Sequence, residues 1–379
     1  MRIQKIELKN WRNFRSANVE IKADVIYLVG PNASGKSNFL DALRFLRDIA
    51  KPIGGGLQTA LNERGGFSKV RCLHARGAGK KKGSTNLEIT VSLSDGPDTW
   101  TYHLAILSRS SKSRPLVAKE IVKHNEEVLV DRPYDHEVDD EDQLAVTYLE
   151  QAAQNKEFRE LSRYFSQITY VHLVPQLVKF GERISGHLLP DDPFGQAFMK
   201  RIADTANKTR DARLKKISKA LHEIVPGLDA LQFIVDKEGR PHIEMRYQTH
   251  RPLPARQLED QLSDGTLRLI ALLWLLQEDH SAPLLLEEPE LSLNEEIVRQ
   301  LHRLFYKIGK RDNQVFVTTH SYALLSNKGI PSSSIFTIIP GVEGSRIEPP
   351  TEPERIAIQN GIPPGDVVLA RGEQFALDI

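Results

Sequence analysis

The apolar positions of this chain follow two rhythms, and the elements are drawn where one gives way to the other. Met1 to Leu8 alternates apolar and polar residues, which predicts an amphipathic strand. The polar and aromatic segment Trp11-Arg12-Asn13-Phe14-Arg15-Ser16 predicts a connection, and Val19 to Ile21 a second short strand. Val25-Ile26-Tyr27-Leu28-Val29 is an unbroken apolar run that predicts a buried strand, after which Phe39, Leu40, Ala42, Leu43 and Leu46 recur at helical spacing. Leu87 to Leu93 and Trp100 to Leu107 alternate with period two around Asp95-Gly96-Pro97, which predicts a hairpin. The stretch Gly77 to Gly83, with Lys80, Lys81 and Lys82, reads as an exposed loop.

From about 110 to 250 the pattern weakens. Arg132 to Gln143 is acidic and loop-like, Leu149 to Phe165 has helical periodicity, and Ile168 to Val174 predicts a strand. Phe194 to Ile224 reads as one or two charged helices ending at Pro226-Gly227, and Leu231 to Val235 with His242 to Tyr247 as a hairpin. No internal repeat or long heptad run interrupts this region. From about 258 the apolar density returns: a helix through Leu267 to Leu276, a strand Leu284 to Leu286, a helix through Ile297 to Ile308 and a strand Val315 to Val317. This strand and helix alternation predicts an α/β core whose second half arrives late in the chain, with the middle as an insertion. The expected division is 1–110 and 258–340 for the core, 111–257 for an inserted helical and β lobe, and 341–379 for a tail.

Between the buried strand and its helix stands Gly30-Pro31-Asn32-Ala33-Ser34-Gly35-Lys36-Ser37, which fits G-x-x-x-x-G-K-[S/T] at every fixed position. The two glycines let backbone N–H groups and the helix N-terminus point at a phosphate chain. Lys36 then reaches the β- and γ-phosphates and Ser37 ligates Mg²⁺, so ATP or GTP is the expected ligand. Glu287 and Glu288, in Leu286-Glu287-Glu288-Pro289-Glu290, fall at the end of a buried strand, where open α/β sheets place ligands. Glu287 is the candidate metal acid and Glu288 the candidate base for the attacking water; an acidic helix start is the plainer alternative. Ser263-Asp264-Gly265 precedes a helix, where Ser263 and Gly265 offer hydroxyl and N–H groups to an anion or simply cap it. His320, in Thr318-Thr319-His320-Ser321, ends a further strand and is a candidate sensor of the γ-phosphate.

Composition narrows the setting more than the chemistry. Among 379 residues, 51 lysines and arginines against 50 acids leave a net charge of +1, so no global field draws nucleic acid or membrane. Basic residues gather at Lys80 to Lys82, at Arg210 to Lys219, and at Arg251 with Arg256; solvated faces are their plainer reading, DNA or RNA contact the sharper one. The acidic run Asp139 to Asp142 likewise reads as a solvated loop. The single cysteine, Cys72, fits a reducing compartment, and the longest apolar stretch, Leu269 to Leu276, is too short to cross a bilayer. A cytoplasmic protein without membrane attachment is expected.

The ordered set resembles the ABC-type ATPases of the RecF/SMC/OLD group, and most closely their compact stand-alone bacterial members. The resemblance rests on Asn13-Phe14-Arg15-Ser16, the Walker A loop, the signature Leu262-Ser263-Asp264-Gly265-Thr266-Leu267-Arg268, the Walker B end Glu287-Glu288-Pro289-Glu290, and His320 as switch histidine. It covers roughly the first hundred and the last hundred and twenty residues. It implies an ABC-ATPase head with a mixed β-sheet lobe, a P-loop core and an inserted helical lobe. It also implies ATP and Mg²⁺ as cofactors, nucleotide contacts from Asn13, Phe14, Arg15 and Gly30 through Asn38, and a head-to-head homodimer or higher even oligomer. In such a dimer Ser263, Asp264 and Gly265 act on the partner's nucleotide. A glutamine touching Mg²⁺ is expected as well, for which Gln176 is the candidate. Two positions depart from the pattern: Glu287 stands where aspartate is usual, and Leu291-Ser292-Leu293-Asn294 replaces Gly-Leu-His.

The implied function is an ATP-driven switch that controls a separately encoded effector protein, nucleic acid or both, in a setting such as anti-phage defence. A RecF-like DNA-repair ATPase and an OLD-like nuclease component are the alternatives. Fewer than sixty residues follow His320, too few for a fused nuclease domain, so Gly361-Ile362-Pro363-Pro364-Gly365 reads as a linker or docking tail.

Overall fold

The structure of the chain, a computed structural model, describes residues 1–72, 86–109, 113–181, 191–225, 227–248, 254–309 and 313–369. The expected Gly77 to Gly83 loop with its three lysines, and Arg251, lie outside them. Two compact units divide the chain. The first comprises Met1–Thr169, His280–Leu285 and Tyr306–Ile379, the second Tyr170–Asp279 and Leu286–Phe305.

An antiparallel six-stranded sheet dominates the first part of the first unit. Its strands are β1 (Arg2–Trp11), β2 (Phe14–Glu20), β4 (Leu87–Asp95), β5 (Asp98–Leu107), β6 (Leu116–His124) and β7 (Glu127–Arg132), in the order β2-β1-β4-β5-β6-β7. Alternation drives it: Leu87, Ile89, Val91 and Leu93 are buried while the residues between them are half-exposed. The β1–β2 connection is shorter than the polarity of Trp11 to Ser16 predicts. Trp11 and Phe14 are strand partners, both fully buried, and Trp11 donates its indole N–H to the Asn38 carbonyl at 2.7 Å. Only Arg12 and Asn13 make the turn.

Strands β6 and β7 extend this sheet into the region of weak pattern. The reason is a buried acid: Glu120 sits fully buried in β6, held by Arg132 Nη1 at 3.3 Å and by the Tyr102 hydroxyl at 3.0 Å. A charge at a core position is tolerated only when partnered, and it erases the alternation that marks a strand. Of the helix expected over Leu149 to Phe165, only Arg159–Ser166 is α-helical. Residues 149–155 instead form turns closed by the Asn155 and Ser162 side chains on the Leu149 carbonyl.

The other six-stranded sheet has the order β15-β14-β3-β13-β12-β8. Its strands are β3 (Val25–Val29), β8 (Thr169–Val171), β12 (Leu284–Glu287), β13 (Val315–Thr319), β14 (Ile335–Ile339) and β15 (Arg346–Glu348). Early and late parts of the chain thus share one sheet, as the return of the α/β pattern predicts. β3 pairs in parallel with both β13 and β14 and is buried along its whole length, which is why it reads as an unbroken apolar run. The boundary between units passes within β8 and β12.

The helix Lys36–Ala50 follows β3 and buries Phe39, Leu40, Leu43 and Leu46. It also buries charge. Arg12 grips Asp41 with two bonds of 3.1 and 2.7 Å, and Arg64 bridges Asp41 and Asp48 at 3.0 and 2.8 Å. Burial works to raise the Asp41 carboxyl's pKa, but Arg64, Arg12 and Arg44 outweigh it and hold the group below its ordinary range. The expected tail 341–379 contains two short helices, Glu352–Gln359 and Pro364–Val368, the second starting within the Gly361 to Gly365 segment read as a linker or docking tail. The second is tied back by the Tyr322 hydroxyl on Asp366 at 2.6 Å.

In the second unit the helices Phe198–Asp204 and Asn207–His222 precede a three-stranded sheet, β9 (Leu228–Val235), β10 (Pro241–Tyr247) and β11 (Ala255–Leu258). The predicted β9–β10 hairpin turns at Gly239, whose φ of 82° suits a residue without Cβ. The apolar helix Asp264–Leu275 and most of the helix Glu295–Gly309 also belong to this unit, and among the described residues no helix is long and apolar enough to cross a membrane.

Candidate functional site

In the first unit the Gly30 to Ser37 loop is built to hold its backbone in one shape. Gly35 has φ 111°, and Ala33 two residues before it is left-handed at 62°. A Cβ on Gly35 would lie 2.1 Å from Asn13 Nδ2, and one on Gly30 would lie 2.6 Å from the Ile338 carbonyl oxygen. Asn13 occupies that space for a reason: its Nδ2 donates to the Ser34 carbonyl and to Ser345 Oγ, each at 2.7 Å, while Asn38 donates to its Oδ1 at 2.9 Å. Ser345 Oγ donates to the same Ser34 carbonyl at 2.6 Å. The loop is therefore braced from behind by residues more than three hundred positions apart.

Lys36 is buried, and its ammonium lies across the loop, donating to the Gly30 carbonyl at 2.9 Å and the Pro31 carbonyl at 3.1 Å. No side chain caps the helix that starts here. Ser34 Oγ is buried without a hydrogen-bond partner, and Ser37 is exposed. An ammonium, hydroxyls and an uncapped helix start around a glycine cradle are a donor set that fits a polyphosphate. Thr319 is the register partner of Val29, so His320 and Gly30 follow side by side at the ends of neighbouring parallel strands, with His320 exposed. Phe14 is buried edge-on against Phe39 and supports the loop from within the core, whereas Arg15 is exposed and pairs with Glu343 at 2.7 Å.

In the second unit Glu287 ends β12 half-buried, and the Tyr170 hydroxyl donates a short hydrogen bond to its Oε2. Glu288 has φ 43°, a left-handed conformation that costs a non-glycine residue about 1–3 kcal/mol. Its carbonyl is held by Arg268 Nη2 at 3.0 Å and by the Leu291 N–H at 3.2 Å. Arg268 is almost wholly buried; burial lowers its pKa, against the opposing pull of Glu290 and Glu288. Ser263 caps the helix Asp264–Leu275, accepting from the Thr266 N–H at 3.2 Å. Gly265 leaves no room for a side chain, because a Cβ would meet the Ser292 carbonyl oxygen at 2.3 Å. Ser292 is itself left-handed at φ 64°. The segment that departs from Gly-Leu-His is thus the floor under the signature glycine.

Gln176 and Asp264, two separate candidates in the sequence, meet each other. Gln176 Nε2 donates to Asp264 Oδ2 at 2.9 Å, and Lys179 Nζ to Oδ1 at 3.1 Å. Arg268 closes the quoted signature segment without a role of its own, and Tyr170, Lys179 and Ser345 carry no motif position; the long separations of these three left no local trace.

A P-loop ATPase with the head fold of SMC proteins is the class these features define. The chain matches the family profile described as "AAA domain, putative AbiEii toxin, Type IV TA system" over residues 25–326, and a "P-loop containing region of AAA domain" over residues 3–46. It belongs to this AAA-domain family of P-loop ATPases. The "SMC head domain from Thermotoga maritima" superposes with a TM-score of 0.51 at 16% identity, covering 93% of this chain and 100% of that one. The SmcHead bound to the C-winged helix domain of ScpA gives 0.56 at 15% identity, covering 93% and 99%. Among curated relatives, the chromosome partition protein Smc of Methanocaldococcus jannaschii is 46% identical over 44 residues, 12% of this chain and 4% of that protein. The DNA replication and repair protein RecF of Chlamydia caviae is 46% identical over 46 residues, 12% of each. The chain spans only these small fractions of the curated relatives it matches.

Proposed function

We propose that the chain is an ATP-dependent switch in which two copies close on two nucleotides and reopen after hydrolysis. The braced Gly30 to Ser37 loop, with Lys36 laid across it, is the observation that carries this reading. Lys36 holds the β- and γ-phosphates, the loop amides and Ser34 follow the chain of phosphates, and Asn13 and Phe14 keep the loop in shape while Arg15 stands at its rim. Ser37 in the first unit, and Glu287 and Gln176 in the second, are each candidate Mg²⁺ ligands; such an ion would neutralise developing charge on the phosphates. Glu288 accepts a proton from the attacking water, and its strained backbone, anchored by Arg268, fixes where its carboxylate stands. His320 hydrogen-bonds the γ-phosphate. Exposed Ser263, with Gly265, serves the nucleotide held by the other copy.

An ATPase cycle of this kind does work only through something it holds. A Smc head in complex with a domain of ScpA supports a separately encoded protein partner for this chain too. We infer control of such an effector, with defence against phage as the setting and the basic Arg210 to Lys219 helix as the face for any nucleic acid.

Mixing tests the shared site. Lys36→Ala and Ser263→Arg proteins are each expected to be inactive alone. Mixed, random pairing makes half the dimers hybrid, and each hybrid has one intact site of its two, so up to about one quarter of wild-type turnover should return. No recovery on mixing, with both variants folded and self-associating, would mean that each site is complete in one chain.

A further inference from the structure

Within the second unit the basic helix and the sheet beside it leave a groove between them. The helix Asn207–His222 is pinned to β9 at both ends: the Arg210 guanidinium lies over the Phe233 ring, 4.0 Å from its centre, and His222 Nδ1 donates to the Leu228 carbonyl at 2.7 Å. Between the pins opens a groove of about 780 Å³, lined by Asp211, Lys215, Lys219 and His222 on the helix and by residues 229–233 of β9. The four helix positions recur at helical spacing, so they form one stripe beside the strand. Leu214 and Leu231, both buried, give the groove an apolar floor. Its strand side is an open edge, because β9 ends the order β11-β10-β9 and among the described residues pairs with β10 alone. The opposite edge, β11, is four residues long and carries Arg256, whereas β9 has eight residues and Asp229 as its one charge. Short charged edges resist further pairing; a long apolar edge invites it.

We propose that this groove takes an extended, acidic segment of a partner protein as an added strand on β9. Such a strand satisfies the outward N–H and C=O groups of β9 and sends every second side chain to one face of the sheet. Charge selects the segment. The helix carries six lysines and arginines against one aspartate, and Lys215 and Lys219 stand exposed in the groove without an ion pair among the described residues. Asp211 is already taken by Arg210 at 3.3 Å, so it does not neutralise these two lysines. A second copy is the wrong occupant, since pairing β9 with β9 would bring two such basic helices together. Nucleic acid would use the cations but neither the apolar floor nor the open edge, and Asp229 and Glu223 in the same groove would repel its phosphates. The inference rests on the proposed function in one respect, the control of a separately encoded protein, and it names the part of that protein this chain holds.

The experiment titrates the full chain, without nucleotide, into short fluorescein-labelled peptides and reads anisotropy at about 0.15 M salt. A peptide alternating glutamate and valine is expected to bind, and one alternating lysine and valine to bind at least about tenfold more weakly. N-methylation of alternate amides reports the mode of binding: methyl groups on the edge that pairs should abolish it, and on the other edge should leave it within about twofold. Lys215→Glu combined with Lys219→Glu should weaken the glutamate peptide about tenfold and strengthen the lysine peptide, a gain that a misfolded chain would not show. Lys216→Glu, exposed on the same helix but outside the groove lining, should change neither. Any of four results overturns the proposal: no binding of the glutamate peptide up to about 1 mM; equal loss from either set of methyl groups; equal loss from Lys216→Glu; or tighter binding of a thymidine single strand of about 20 bases through the same two lysines. The titration holds no nucleotide, and the mixing of Lys36→Ala with Ser263→Arg chains holds no peptide, so either reading can fail alone.

Discussion

The two units hold their candidate groups by opposite means. In the first, an eight-residue loop is contiguous in sequence, shaped by glycines and braced by Asn13 and Ser345, which are neutral side chains with short hydrogen bonds. In the second, Glu287, Glu288 and the signature turn come from separate stretches and are held by charged or phenolic groups: Arg268 on the Glu288 carbonyl, Tyr170 on Glu287, Lys179 on Asp264. A loop that binds the same phosphates in every state profits from a rigid neutral frame. Groups that must engage and release profit from partners whose strength depends on charge and on small displacements.

The largest expected effects separate the two regions by what they spare. Glu288→Gln should lower turnover by about a thousandfold, within the range for loss of a general base, while nucleotide affinity stays within a few-fold of wild type. It should also accumulate an ATP-bound self-associated form. Lys36→Ala should weaken nucleotide binding by about a hundredfold, through loss of charge-assisted contacts to phosphate. Titration calorimetry and single-turnover kinetics on both variants check this. Equal loss of affinity in the two would erase the distinction between a binding half and a catalytic half.

Glycines sharpen the same contrast at smaller scale. Gly35 combines a φ of 111° with a forbidden approach to Asn13, so Gly35→Ala should cost about 1–3 kcal/mol of stability and also displace the phosphate loop. Gly265 has no such φ and only the Ser292 carbonyl in its way, so Gly265→Ala should be felt as a shift of residues 291–294. Nucleotide affinity is expected to fall for the first and not the second, while turnover falls for both. Urea midpoints with nucleotide titrations decide it, and an unchanged affinity in Gly35→Ala would show that the loop tolerates a different backbone.

What the sequence made legible follows the same line. The loop, β3 and its helix were readable because their physics is local: a β-branched run, glycines at fixed spacing, then apolar residues at helical period. Glu287, Ser263 and His320 became candidates only as members of an ordered set, since each alone has an ordinary structural use. Asn13's engagement with Ser345 and the meeting of Gln176 with Asp264 left no trace, because nothing in a chain records which distant polar groups will satisfy each other. β6 and β7 were obscured by Glu120 and Arg132, buried ions where the pattern wants apolar residues. The two C-terminal helices were hidden by the prolines and glycines around them, which mark their starts and ends as readily as they mark a linker.

The smallest effects concern pH, and one group in each unit serves as the probe, Glu150 in the first and His242 in the second. In the first, burial pushes the Glu150 carboxyl up to about 7, against the Leu57 and Thr147 N–H groups that favour its ionised form. Its folded pKa exceeds the unfolded value of about 4.3, so the folded state binds the extra proton and stability falls as pH rises from about 4.5 to 7. The loss is bounded at about 4 kcal/mol by the size of that shift. In the second unit burial works to lower His242, but Glu259 at 2.7 Å and Asp236 at 3.2 Å outweigh it and raise its pKa. That contribution is complete below the unfolded pKa of about 6.5 and is lost as pH rises through the raised folded value. The two units therefore shed stability in successive windows. Urea midpoints measured from pH 4.5 to 8.5 should show Glu150→Gln flattening the lower part of the profile and His242→Gln only the upper part. A Glu150→Gln profile parallel to wild type between pH 4.5 and 7 would mean that its carboxyl is already ionised in the folded protein, and that the first unit's frame is as indifferent to pH as its neutral phosphate-loop braces.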